Sequence, residues 1–271
     1  MFSAACLFML LNMSLSGAAT VDTVDTYSKV MHKKIKAVVV LPDAYAEGGS
    51  FPVVYLLHGY SGNYADWIKA VPSIQQLADQ YRILLVCPDG NFSSWYLDSP
   101  VDPSFRYETY MVDELLPWID KQYHTVKNRS GRGITGLSMG GHGAFYLAFK
   151  HPDLFGAAGS MSGGVDFRPF PKNWDLAKRL GDIREKPENW DRYTVTNMLD
   201  RVQDGALALI FDCGTEDFFF KVNDTLHQKM LERKIPHDFI ARPGKHDWPY
   251  WTNAIQYQLL FMHRFFEGKH A

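Results

Sequence analysis

Five residues, Gly136-Leu137-Ser138-Met139-Gly140, constrain this chain more than any other stretch. A serine with glycine two residues to either side is the pattern of a nucleophile elbow, a sharp turn between a strand and a helix. The backbone there is strained, and bulk at either flanking position would clash, so glycine occupies both. The surroundings fit. Gly133-Ile134-Thr135 reads as a short strand entering the turn, and Ala144 to Lys150 as a helix leaving it. The start of that helix would aim unpaired N–H groups at negative charge developing above the serine. Such a short motif also arises by chance in glycine-rich loops; the strand before it and the helix after it make it specific.

The rest of the chain supplies a fold for that turn. Pro52-Val53-Val54-Tyr55-Leu56-Leu57 and Ile83-Leu84-Leu85-Val86-Cys87 are continuous apolar runs, as expected of strands covered on both faces. Ala157 to Ser162 and Leu207 to Phe211 read the same way. Ile35 to Leu41 is a β-branched strand paired with Thr26 to Met31, and His237 to Ala241 is a short late strand. Helices alternate with them: Tyr107 to Ile119, kinked by Pro117, then Leu226 to Lys234 and Asn253 to Phe266. That alternation predicts an α/β fold, a mostly parallel sheet with helices on both faces. Asp166 to Gly205 is polar, proline-containing and irregular, and reads as a cap-like insertion over the active-site edge with a short helix near Leu176 to Leu180.

At 271 residues, 46% hydrophobic and 21% charged, the chain can bury one large core, assigned to residues 20–271. A net charge of −2 offers no electrostatic partner to nucleic acid or an anionic membrane. Met1 to Ala19 reads as a signal peptide, with an apolar run from Cys6 to Leu11 and small residues at Ser16-Gly17-Ala18-Ala19, though no lysine or arginine precedes the run. It is too short and interrupted for a membrane span, so no stable membrane partner is expected. Export to the periplasm or beyond is the expected localisation. Cys87 and Cys213 each end an apolar run and are expected as buried free thiols near one sheet edge. No Cys-x-x-Cys pair or histidine cluster has zinc spacing, so no metal is expected.

A serine nucleophile needs an imidazole, and the imidazole needs a carboxylate to hold its tautomer. In such folds the chain order is serine, acid, histidine. Of the 10 histidines, His246 in Pro243-Gly244-Lys245-His246-Asp247-Trp248 follows the last strand and is the expected base. His58 is expected to shape the oxyanion loop, His142 to pack or hydrogen-bond locally, His151 to cap a helix, and His227 and His237 to be surface residues. Asp212, Glu216 and Asp217 compete for the acid. Asp217, in the loop beyond its strand, is the expected one. The oxyanion hole would take its N–H groups from Met139, next to the serine, and from Tyr60, after the turn at Gly59.

These stretches together, Leu56-Leu57-His58-Gly59, Pro88-Asp89-Gly90, Gly136 to Gly141, Cys213 to Phe218 and Pro243 to Trp248, resemble the esterase D family of α/β-hydrolases. That family includes S-formylglutathione hydrolases, tributyrin, feruloyl and acetylxylan esterases, and mycolyltransferases. The resemblance runs from about residue 30 to the C-terminus. It implies a triad of Ser138, Asp217 and His246, oxyanion donors at Tyr60 and Met139, and no cofactor. It also implies a serine carboxylesterase acting on short-chain or hydroxycinnamoyl esters, carbohydrate-linked, so that the partner is a small-molecule or oligosaccharide ester. Transfer to a sugar hydroxyl and thioester hydrolysis are the rival activities. Trp95, Tyr96, Trp248 and Trp251 fall in or near the site loops and are expected to stack on a feruloyl ring or a sugar.

Overall fold

A computed structural model describes residues 18–202, 205 and 207–269. The signal-peptide expectation therefore falls outside the described residues except at Ala18 and Ala19. The described residues build eight strands: β1 (Thr20–Ser28), β2 (Lys33–Leu41), β3 (Val53–Leu57), β4 (Leu84–Pro88), β5 (Arg132–Gly136), β6 (Ala157–Met161), β7 (Ala208–Gly214) and β8 (Asp238–Arg242). They form one sheet in the order β1-β2-β4-β3-β5-β6-β7-β8. β1 and β2 join antiparallel, β2 joins β4 antiparallel, and every later pairing is parallel.

The continuous apolar runs divide their side chains between two layers, because successive residues of a strand point to opposite faces. Val53, Tyr55 and Leu57 of β3 join one core, while Val54 and Leu56 join the other. The first core is closed by α5 (Met139–Lys150) and the segment around α3 (Tyr107–Thr109) and α4 (Leu116–Gln122). The second is closed by α1 (Asp66–Ala70), α2 (Ile74–Tyr81) and the last helix, α9 (Trp248–Phe266). α6 (Leu176–Leu180) and α7 (Pro187–Tyr193) lie between β6 and β7, and α8 (Phe220–Glu232) follows β7.

Several elements differ from the sequence reading for physical reasons. Between α3 and α4 the backbone widens into a π-helical turn, Tyr110–Leu115, and Pro117 sits in the first turn of α4. The break expected at Pro117 is thus placed upstream, where its missing N–H is harmless. α9 starts at Trp248, not near Asn253, because Asp247 caps it by accepting the Tyr250 N–H at 3.1 Å and Pro249 suits a first turn. The 166–205 insertion is not merely a cover. Phe167, Leu176, Trp190 and Val195 are fully buried and continue the first core. Cys87 and Cys213 are buried free thiols, but with β3, β5 and β6 between their strands.

His142 ties the elbow helix to that insertion. Its ring nitrogens lie 3.2 Å from the Trp95 carbonyl and 2.9 Å from that of Tyr193, so its contacts are distant in sequence rather than local. Complete burial pushes its pKa down to about 4, against the pull of the two carbonyls. The unfolded chain therefore takes up a proton that the native state refuses between the ordinary value of 6.5 and about 4. Stability is expected to fall as pH falls through that window, by on the order of 3 kcal/mol from this group. Denaturant unfolding across the window checks it. A His142→Asn variant should be less stable at neutral pH yet show a shallower acid slope, and an unchanged slope would assign the loss to other groups.

Candidate active site

The elbow is formed as the glycine spacing requires. Ser138 has φ 54° and ψ −114°, a costly conformation for a residue with a side chain. Its N–H donates to the Met161 carbonyl of the neighbouring strand at 2.9 Å, and its carbonyl accepts from His142 N–H at 3.1 Å. A Cβ on Gly136 would lie 2.7 Å from the Gly140 backbone, and one on Gly140 would lie 2.5 Å from the Leu57 carbonyl oxygen. The hydroxyl stays partly exposed at the carboxyl end of the sheet, where sites in such folds form.

The acid and base loops are fastened to each other. Thr215 N–H donates to the Arg242 carbonyl at 2.9 Å, and Glu216 N–H to that of Gly244 at 3.0 Å. This brings Asp217 Oδ2 to 2.8 Å from His246 Nδ1, and His246 Nε2 to 2.9 Å from Ser138 Oγ. The other Asp217 oxygen accepts the Phe219 N–H at 2.8 Å, which sets the carboxylate plane. Its side chain is wholly buried, whereas His246 retains some exposure. The geometry fits an imidazole with its proton on Nδ1 and a lone pair facing the hydroxyl.

The rival acids are separated by position. Asp212 lies within β7, fully buried, and accepts from Gln258 Nε2 at 2.7 Å, away from His246. Burial raises its pKa to about 6. Glu216 points outward toward Lys245, 3.9 Å away.

His58 shapes the loop after β3. Its Nδ1 lies 2.8 Å from the Gly59 carbonyl, and its Nε2 accepts the Gly90 N–H at 2.7 Å. The next residue after Gly59 is Tyr60. Neither the Tyr60 nor the Met139 N–H has a protein acceptor among the described residues; Met139 follows the serine directly, and Tyr60 lines the same cleft.

A cleft of about 240 Å³ opens above Ser138 and His246, lined among others by Tyr60, Ser61, Asp66, Trp174, Trp248 and Trp251. Trp248 and Trp251 are where the sequence places them. Trp95 and Tyr96 are not: they are 1% and 0% exposed, and line no part of this cleft. Their role is support. The Tyr96 hydroxyl accepts the His58 N–H at 3.0 Å and donates to the His58 carbonyl at 3.2 Å, clamping the loop that carries Tyr60. Trp95 donates its indole N–H to the Trp174 carbonyl at 3.1 Å. His151 does terminate α5, and also lies 2.9 Å from Glu108. His227 and His237 are not simple surface residues, since they hydrogen-bond each other at 2.8 Å.

Sequence reasoning missed Trp174, Ser61 and Asp66 as lining residues. Trp174 sits in a stretch without periodicity, and nothing in the pattern singled it out. Ser61 and Asp66 follow the His58-Gly59-Tyr60 turn closely, and that proximity was an available signal.

A profile of the family described as "Putative esterase" matches residues 28–262. The chain is 30% identical over 236 residues to "Esterase Rv1288" of Mycobacterium tuberculosis, covering 77% of this chain and 51% of that protein. It thus spans about half the length of the first curated relatives it matches. It is 24% identical over 252 residues to "Acetyl esterase" of Caldicellulosiruptor saccharolyticus, covering 86% of this chain and 94% of that one. Among solved structures, a "ferulic acid esterase" aligns with a TM-score of 0.80 at 29% identity, covering 92% of this chain and 98% of the other.

Proposed function

The chain belongs to the putative esterase family, and from that membership we propose that it is a serine carboxylesterase for short-chain or hydroxycinnamoyl esters, carbohydrate-linked. The observation that carries the reading is the chain of contacts from Asp217 through His246 to Ser138, at 2.8 and 2.9 Å, on a strained elbow beneath a cleft. Ser138 Oγ attacks the ester carbonyl as its proton passes to His246 Nε2, and the Asp217 carboxylate holds Nδ1–H and steadies the imidazolium. The Tyr60 and Met139 N–H groups receive the oxyanion. The imidazolium returns its proton to the departing alcohol, leaving an acyl-enzyme. Water, giving a proton to His246, then attacks the acyl carbon; the acyl–Oγ bond breaks, the imidazolium returns its proton to Ser138 Oγ, and the acid leaves, whereas a sugar hydroxyl in place of water would make the reaction a transfer.

The substrate class draws on the ferulic acid esterase and acetyl esterase likenesses and on the cleft itself. Among the described residues that line it is the carboxylate of Asp66, whose oxygens accept from Asn63. A resident carboxylate disfavours the anionic glutathione moiety of the rival thioester. The expected result with purified protein is that methyl ferulate or acetylated xylan exceeds S-formylglutathione in kcat/KM by roughly tenfold or more, the equivalent of one modest charge interaction. The reverse order would overturn the substrate assignment while leaving the catalytic one intact. Export belongs to the same proposal, and the intact mass of protein recovered outside the cytosol checks whether the N-terminal segment is removed.

A further inference from the structure

Phe218 immediately follows the acid Asp217 and leaves its ring 49% exposed. Its centroid lies 4.3 Å from that of His246. The indole of Trp174 also stacks on it, at 5.5 Å with an interplanar angle of 20°. Phe170 and Phe219 back the indole at 5.3 and 5.0 Å. The main chain that presents Trp174 is held in a costly shape: Trp174 and Asp175 are both left-handed, with φ of 52° and 57°. Aspartate tolerates that region, but a bulky tryptophan there is sustained by its surroundings. The Trp95 indole N–H on the Trp174 carbonyl is one such restraint.

We propose that Trp174 and Phe218 act as one aromatic platform beside the reacting atoms, and that this platform selects esters with a planar aromatic acyl group. The inference rests on the esterase reading and names the residues that set its acyl preference. A planar acyl ring laid against these residues would add to the aromatic contacts that Phe218 already makes with Trp174 and His246. A short acyl group such as acetyl reaches the serine without touching the platform. Aromatic stacking of this kind is worth about tenfold in selectivity.

The test compares methyl ferulate with methyl acetate, which share a leaving group and differ only in the acyl part. For Trp174→Ala and for Phe218→Ala, the ratio of kcat/KM for ferulate over acetate should fall about tenfold, and the double variant should fall little further, because the rings act together. Trp174→Phe should recover most of the ratio. An unchanged ratio in folded Trp174→Ala protein overturns the proposal, and so does an equal loss on both esters, which would mark a structural role. Binding of ferulamide, a neutral amide that is not turned over, is read in parallel on Ser138→Ala protein. If the wild type hydrolyses neither ester but ferulamide binds and Trp174→Ala weakens it about tenfold, the platform stands and the esterase reading falls. If ferulamide binding is indifferent to Trp174, the platform falls whatever the enzyme hydrolyses.

Discussion

Ser138→Ala is expected to lower kcat for p-nitrophenyl acetate by about 10⁶-fold, the loss seen when a serine nucleophile is removed from a complete triad. KM should move little, because the methyl side chain leaves the cleft and its oxyanion donors in place. His246→Ala should cost nearly as much, and the double variant no more than the worse single one, since a base without a nucleophile has no proton to take. Asp217→Asn should cost about 10⁴-fold, because an amide donates to the imidazole where the carboxylate accepts, and turns it to the wrong tautomer. The Phe219 N–H, which donates to Asp217 at 2.8 Å, would still hold the carbonyl oxygen of the introduced amide, so the amide has no easy way to flip. Single-turnover hydrolysis and the mass of a trapped acyl-enzyme read these effects directly. Ser138→Ala protein, freed of host esterases, that kept more than about 1% of wild-type kcat would remove Ser138 from the role, since that rate exceeds what an oxyanion hole and binding alone supply.

Gly140→Ala is expected to be among the most damaging single-methyl additions in the molecule. The added carbon would stand 2.5 Å from the Leu57 carbonyl oxygen and 2.6 Å from that of His58. Both obstacles are backbone: one belongs to β3, the other to the loop before Tyr60. No side chain can swing away, so α5 must lift from the sheet. Overpacking of this kind costs about 3–5 kcal/mol at the upper end of single-substitution effects. For a chain of this size that is a drop in Tm of roughly 10 °C. Activity should fall further than stability, because lifting α5 moves Ser138 and the His58 loop relative to each other, and a displacement of about 1 Å can cost a hundredfold. Thermal unfolding and kcat measured below the lowered Tm separate the two effects. An unchanged Tm would show that α5 has slack against the sheet, and the close packing argued for the elbow would be wrong.

Both expectations rest on residues whose meaning was plain in the sequence, and the contrast with the others has a physical basis. A strand buried on both faces must be apolar at every position, so Val53 to Leu57 and Leu84 to Cys87 announce themselves over a few residues. The elbow is equally local, since its strain and its tolerance for glycine arise within five residues. Asp217 and His246 follow from chain order and from the loops that end β7 and β8. The short helices α1 and α2 were not legible, because five and eight residues carry too little periodicity to stand apart. Nor was the start of α9, where Asp247 caps the helix and Pro249 takes its first turn five residues before the apolar periodicity begins to show.

The aromatic residues mark the boundary most clearly. Trp95 and Tyr96 lie in a polar, glycine-flanked loop and read as exposed rings beside the site. They are buried because the fold lays the insertion around Phe167 and Trp174 over Trp95, and sets the Tyr96 ring against His58. Trp174 and Phe218 stand 44 positions apart by their numbers and share no pattern, yet they stack beside His246. The sequence by itself determined the sheet, the elbow and the identity of the three hydrogen-bonded groups, because local sterics and alternating burial act over a few neighbouring residues. Only the tertiary structure decided which aromatic rings line the cleft and which carry it, because burial is a property of what distant segments bring together.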